Sequence, residues 1–154
     1  MRALLQRVTE ARVDVDGQTV GQIKKGWLVL LGVGHGDSTT STEQLADKIA
    51  QLRCFEDAEG KTNLSILDVG GQVLLVSQFT LYADLSRGRR PGFTNAAPPD
   101  EANHLVNEVG QALRRRGLKV EQGEFGAHMQ VSLVNDGPFT IWLETNGAPA
   151  GPVS

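Results

Sequence analysis

The strongest constraint on this chain is a two-residue rhythm. About seven stretches, RALLQRV, RVDVDGQTVGQI, WLVLLGV, QVLLVSQ, LKVEQ, HMQVSLV and FTIWLE, either alternate apolar and polar residues or run apolar for the length of a strand. Alternation sends successive side chains to opposite faces, so a chain written this way has to bury a sheet. Only two segments keep helical spacing. TSTEQLADKIAQLRCF, from Thr40, has Ser/Thr caps three residues ahead of Glu43 and Gln44, then Leu45, Ile49 and Leu52 on one side. PPDEANHLVNEVGQALRRRG opens on Pro98, Pro99, Asp100 and Glu101 and carries Ala102, Leu105, Val106, Val109, Ala112 and Leu113 as an apolar stripe. A strand pair first and helices interspersed later predict an α+β fold: a mixed, strongly curved, barrel-like β-sheet with two packed α-helices in a single domain.

A length of 154 residues suits one such domain, which the pattern places over residues 1–144. The remainder, 145–154 (TNGAPAGPVS), is small, polar and rich in Pro and Gly, and is expected to be a flexible tail. Charges at Arg2, Arg7, Glu10 and Arg12 interrupt every apolar run at the start, which argues against a signal peptide or membrane span and for a cytoplasmic protein. Cys54 is the lone cysteine, so no internal disulfide forms, and its place at the end of the first helix reads as a buried, inert thiol. A net charge of −3 excludes a broad grip on nucleic acid but leaves room for a small footprint. Positive charge gathers at Arg87, Arg89 and Arg90, and at Arg114, Arg115 and Arg116, the latter read as a solvated helix end before Gly117.

Three stretches invite a chemical reading. GVGHGD, residues 32–37, lacks the lysine and spacing of a phosphate loop and reads as a tight turn from strand to helix. Neither His35 nor His104 nor His128 has a ligand-spaced neighbour, so no metal is expected. VLLVSQFTLYAD, residues 73–84, reads as a half-buried strand in which Phe79 and Leu81 face the core, Gln78 and Thr80 face away, and Ser77 sits at the rim. A hydroxyl nucleophile at Ser77 or Thr80 would need a base within reach, and no matching elbow or triad pattern accompanies it. LVNDGPFTIWLE, residues 133–144, reads as two strands joined by a β-turn at Asn135, Asp136, Gly137 and Pro138.

SQFTLYAD and NDGPFT occur in this order together with MRALLQRV, LGVGHGD, LRCFED, NLSILDVGG, GRRPGF and FGAHMQVSLVNDGP, and with that ordered set the chain closely resembles the D-aminoacyl-tRNA deacylases over residues 1–144. The second motif departs from the usual Gly-Pro-Val-Thr in having Phe139 for the valine, which bears on local packing. The resemblance implies a homodimeric hydrolase that cleaves the ester between a D-amino acid, or glycine, and the 3′-terminal adenosine of tRNA, with no metal or other cofactor and no membrane. It implies that Ser77, Gln78, Phe79 and Thr80 form the catalytic pocket. It further implies that Gly137 and Pro138, joined by a cis bond, reach into the pocket of the other subunit as a chirality gate that rejects L-aminoacyl-tRNA. Phe125 and Met129 match positions near the terminal adenine of the CCA end, although alternation with Val131 and Leu133 would by itself make Met129 a core residue.

The implied chemistry agrees with the missing triad. An aminoacyl ester is activated, so water can attack if backbone N–H groups at Phe79 and Thr80 hold the carbonyl oxygen. The ribose 2′-hydroxyl beside the ester can assist, and Arg87, Arg89 and Arg90 can meet phosphates. Two other classes remain open on the sequence. A noncatalytic module gripping single-stranded 3′ ends through Phe125 and the arginines would bind without turnover, and a general esterase with a Thr80 nucleophile would form an acyl-enzyme.

Overall fold

The computed structural model describes residues 1–145, so all of the expected flexible tail except Thr145 lies outside the described residues. In chain order the elements are β1 (Arg2–Val15), β2 (Gln18–Ile23), β3 (Gly26–Gly32), α1 (Thr39–Gln51), β4 (Phe55–Glu56), β5 (Thr62–Leu64), β6 (Gln72–Ser77), a 3-10 helix (Phe79–Tyr82), α2 (Pro99–Arg115), β7 (Lys119–Gln122) and β8 (Gln130–Glu144). The α+β expectation holds. The sheet runs β2-β1-β3-β6-β7 with β8 on the free side of β1, while β4 and β5, which the rhythm does not reveal, pair by themselves. β3, β6 and β7 are parallel neighbours and the β1 pairings are antiparallel, so the sheet is mixed. It curls until its ends approach: a Cβ at Gly21 of β2 would lie 2.7 Å from the carbonyl oxygen of Gln122 on β7. Glycine at that position lets the barrel nearly close.

The curl divides the apolar residues between two cores. Leu5, Val29, Leu31, Val73 and Leu75 face Leu45, Ile49, Leu105, Val109 and Leu113 of the helices. Val8, Val13, Ile23, Leu28, Leu74 and Val76 fill the inside of the curl. Leu28 and Leu74 alternate with Val29 and Leu75, which is why these strands read as continuous apolar runs.

Two expected strand breaks are absent. RALLQRV and RVDV are parts of one 14-residue strand, β1, and QVSLV and FTIWLE are parts of the 15-residue β8, which His128 and Met129 precede. Register shifts against β8 at Gln6/Val8 and Val8/Glu10 let β1 move its buried set from Ala3 and Leu5 to Val8, Ala11 and Val13 without ending. The supposed turn at Asn135 to Pro138 does not reverse the chain. Asn135 lies opposite Val8 and Thr140 opposite Gln6, so residues 136–139 bulge out of the ladder where β1 contributes only Arg7.

α2 starts at the expected prolines, with Pro98 as its cap, whereas α1 starts at Thr39 after Ser38, ahead of the expected Ser/Thr caps. α1 ends at Gln51, and the amide of its cap, Ser38, donates to Ser41 Oγ at 3.1 Å, so Ser41 fills the place assigned to Glu43 or Gln44. Cys54 therefore lies past the helix; it is buried, and burial raises its thiol pKa. The arginines ending α2 are not merely solvated. Arg115 and Arg116 pair with Glu43 of α1, Arg116 at 2.9 Å, and Arg114 donates to the Val120 carbonyl at 2.9 Å.

Candidate active site

β6 enters the core as Val73–Val76 and stops because its last partner is used up: Gln78 N donates to Leu31 O at 2.7 Å, where β3 itself is ending. The chain then winds into the 3-10 helix Phe79–Tyr82 instead of continuing as a strand. The expected inward phase of Phe79 and Leu81 is lost with the strand. Phe79 is 57% exposed and meets Phe93 edge-on at 4.8 Å. Because a 3-10 helix supplies no acceptor to its first amides, the N–H groups of Phe79 and Thr80 stand at an open start.

A cavity of about 540 Å³ opens beside this start, floored by Leu31, Val33, Ala97 and Val106 and walled by Ser77, Gln78 and Phe79, with Phe93, Phe125 and Gly126 also lining it. Among the described residues no ionisable side chain lines it. Ser77 and Gln78 are half-buried at its rim, and Thr80, exposed beside it, accepts a hydrogen bond from Gln78 Nε2. His35 is turned to structure, its Nε2 lying 2.8 Å from Thr94 O. No group of three His, Cys, Asp or Glu able to hold a metal occurs among the described residues.

Four of the expected site residues, Ser77, Gln78, Phe79 and Phe125, line this cavity, and Thr80 adjoins it. Met129, Gly137 and Pro138 do not line it. Met129 packs with Val131 and Leu133 on the inner core, as alternation alone suggests, with its sulfur filling the place a Cβ on Gly123 would take. Gly137 and Pro138 are exposed on the bulge of β8, and the peptide between them is cis. That bulge lies by the Trp27 end of β3, since Arg7 pairs with Trp27, whereas the cavity lies by the Leu31 end. The four residue steps from Trp27 to Leu31 span about 13 Å of strand.

Each of the two segments is held by an arginine of β1. Arg7 Nε donates to Asp136 O at 2.9 Å and Nη1 to Cys54 O at 2.7 Å, with its guanidinium 4.2 Å from the Phe139 ring centre. Asn135 closes the bulge, its Nδ2 donating to Arg7 O at 2.9 Å and Phe139 O at 3.0 Å while its Oδ1 accepts from Phe139 N at 3.1 Å. Phe139, in place of the usual valine, is accommodated between Arg7 and Trp27, 6.2 Å from the latter. Glycine is required at 137, where a Cβ would lie 2.0 Å from Phe139 N. Arg2 does for the 3-10 helix what Arg7 does for the bulge. Its Nη1 donates to Leu81 O at 2.9 Å, its Nε to Glu144 at 3.2 Å, and its guanidinium lies 4.4 Å from the Tyr82 ring centre. Burial raises the Tyr82 phenol pKa, and the ring occupies the space a Cβ on Gly34 would need, 2.6 Å away.

In the sequence Arg2 and Arg7 read only as charges that break apolar runs. A signal for Arg7 was present: it falls in phase with Ala3 and Leu5, at a position that alternation buries, and is 7% exposed. A buried arginine needs partners, and here they are the backbone carbonyls of Cys54 and of Asp136 on the bulge.

The family model described as D-Tyr-tRNA(Tyr) deacylase matches residues 4–144. A D-aminoacyl-tRNA deacylase of Thermomicrobium roseum is 60% identical over 145 residues, covering 94% of both chains. One of Thermotoga petrophila is 57% identical over 146 residues, covering 95% of this chain and 98% of that protein. The solved structure of a c-Myc DNA Unwinding Element Binding Protein superposes with a TM-score of 0.89 at 41% identity, covering 94% of this chain and 99% of the other.

Proposed function

The chain belongs to the D-aminoacyl-tRNA deacylases, hydrolases of the aminoacyl ester, and from that premise we propose how its own residues carry out and restrict the cleavage. The terminal adenosine and its ester enter the cavity, with the base against Phe125 and Met129 supporting that wall from the inner core. The ester carbonyl oxygen takes hydrogen bonds from the amides of Phe79 and Thr80, which hold it before and after it becomes an oxyanion. Water attacks, and the ribose 2′-hydroxyl assists in activating it. Ser77, Gln78 and Thr80 shape and orient this wall. The observation that carries the reading is the lack of any ionisable side chain around the cavity among its described lining residues: Ser77 has no base there to make it a nucleophile. This also argues against the Thr80 esterase.

The same reading makes Gly137 and Pro138 the chirality gate. Their carbonyls accept hydrogen bonds from the substrate ammonium while the ester carbonyl points at the 3-10 helix. With two directions at Cα fixed, a D side chain leaves toward open space and an L side chain runs into a loop that Arg7 and Asn135 hold in place. Because the loop and the cavity of one chain lie at opposite ends of β3, the gate comes from a second copy, and the working form is a homodimer. Cytoplasmic placement follows from the substrate.

Deacylation of D-tyrosyl-, D-aspartyl-, glycyl- and L-tyrosyl-tRNA at equal enzyme concentration tests this. Hydrolysis of the first three with the last spared is expected, since exclusion cannot refuse glycine. Refusal of glycyl-tRNA would mean that a D side chain is positively recognised, and comparable hydrolysis of L-tyrosyl-tRNA would leave the loop without its role.

A further inference from the structure

We propose that the loop of residues 84–92 is a phosphate clamp for the single-stranded RNA immediately before the terminal adenosine, with Arg87, Arg89 and Arg90 contacting the backbone. The proposal rests on the deacylase reading of the adjoining cavity. Position is the first support. The loop follows the 3-10 helix that begins with the wall residue Phe79 and returns at Phe93, and these two rings meet edge-on at the cavity rim. Its base is pinned by reciprocal backbone bonds, Asp84 N to Gly92 O at 2.8 Å and Gly92 N to Asp84 O at 2.9 Å, and Ser86 N donates to Asp84 Oδ1 at 2.9 Å. The arginines are thus carried at the mouth on a loop with a fixed root.

Charge is the second support. Arg2, Arg7, Arg12, Arg115 and Arg116 all sit within ion-pair distance of carboxylates. Arg87, Arg89 and Arg90 are exposed and have no ion-pair or hydrogen-bonded partner among the described residues. Three unspent guanidinium groups thus fall within four residues of a chain whose net charge is −3.

The cavity itself supplies the third. It has no charged lining residue, so nothing within it can neutralise the phosphates that enter with a 3′ end. An apolar pocket takes the adenosine and leaves the phosphodiesters outside, where planar guanidinium forks match their oxygens. The clamp reads no sequence, which suits an end shared by every tRNA.

The test compares kcat/KM on D-tyrosyl-tRNA and on D-tyrosyl-adenosine, which lacks those phosphates, from about 50 to 200 mM salt. For the variant combining Arg87→Ala, Arg89→Ala and Arg90→Ala, we expect a loss of about tenfold on the tRNA and a log-log salt slope flatter by about 2, at roughly 0.7 per single-strand phosphate contact. Its rate on D-tyrosyl-adenosine should match that of the wild type, and the variant combining Arg87→Lys, Arg89→Lys and Arg90→Lys should recover most of the slope. An unchanged slope on tRNA, or equal losses on both substrates, overturns the clamp while the deacylase reading stands. A wild-type protein inert on both substrates overturns the deacylase reading, and the clamp with it.

Discussion

The 3-10 helix after β6 and the bulge in β8 are two breaks in one sheet, each tied to β1 by an arginine that donates to a backbone carbonyl and lies over an aromatic ring. They differ in depth. The Arg7 side chain is 8% exposed and also serves Cys54, whereas that of Arg2 is 32% exposed and shares its charge with the half-open Glu144. A buried arginine locks its segment, because no water can replace the lost bonds; a half-exposed one steadies a segment that its own backbone already shapes. On the proposed mechanism this division is apt, since exclusion of an L side chain requires a loop that does not move, and the 3-10 helix keeps its backbone hydrogen bonds without Arg2.

Removing the deeper clamp should have the largest effect. Arg7→Ala strands the carbonyls of Cys54 and Asp136 and uncaps Phe139, so we expect a loss of about 3 kcal/mol in denaturant unfolding and, where the variant is folded, a fall in the D/L rate ratio. A folded Arg7→Ala protein with intact discrimination would break the comparison. Arg2→Ala is expected to cost under about 1 kcal/mol, because its ion pair is half-exposed, and to lower kcat several-fold on D-tyrosyl-tRNA with the D/L ratio kept. A change in that ratio would show that the two clamps are not separable.

The smallest effect is expected away from both segments, at the pairing of α1 with α2. Arg116 and then Arg115 hydrogen-bond to Glu43 and hold its carboxyl below its ordinary value of 4.5. A depressed acid stabilises the fold fully above that value and loses its contribution as pH falls through the lowered one. Glu43→Gln should therefore flatten the decline of stability with acid, measured by thermal unfolding from neutral pH down to below 4.5, and leave D/L discrimination at neutral pH as it was.

Much of this architecture is legible in the sequence, and what is not has specific causes. The alternation in RALLQRV and HMQVSLV and the stripe from Ala102 to Leu113 announce the sheet and the second helix because burial alone fixes their periods. The continuity of β1 and β8 is hidden because a bulge changes the phase of alternation in the way a turn does. FTLY keeps a strand's rhythm although β3 ends beside it, and no local residue records the loss of a pairing partner. Ser77, Gln78, Phe79 and Phe125 meet at one cavity, while the distance of Gly137 and Pro138 from it depends on which end of β3 each segment touches. Asn135, read as a turn former, is the latch of the bulge.

The proposed mechanism has a bulge and a cavity, kept apart on one chain, act together across two. It is tested most directly by mixing two variants that are each defective. Ala96→Trp fills the cavity and leaves the bulge, and Arg7→Ala frees the bulge and leaves the cavity. After the chains are exchanged, the mixed dimer has one intact cavity facing one intact bulge. Recovery of D-selective deacylation in the mixture, above the sum of the separate variants, is the predicted result, and a mixture that only averages its two components would place the gate and the cavity on the same chain and contradict the account.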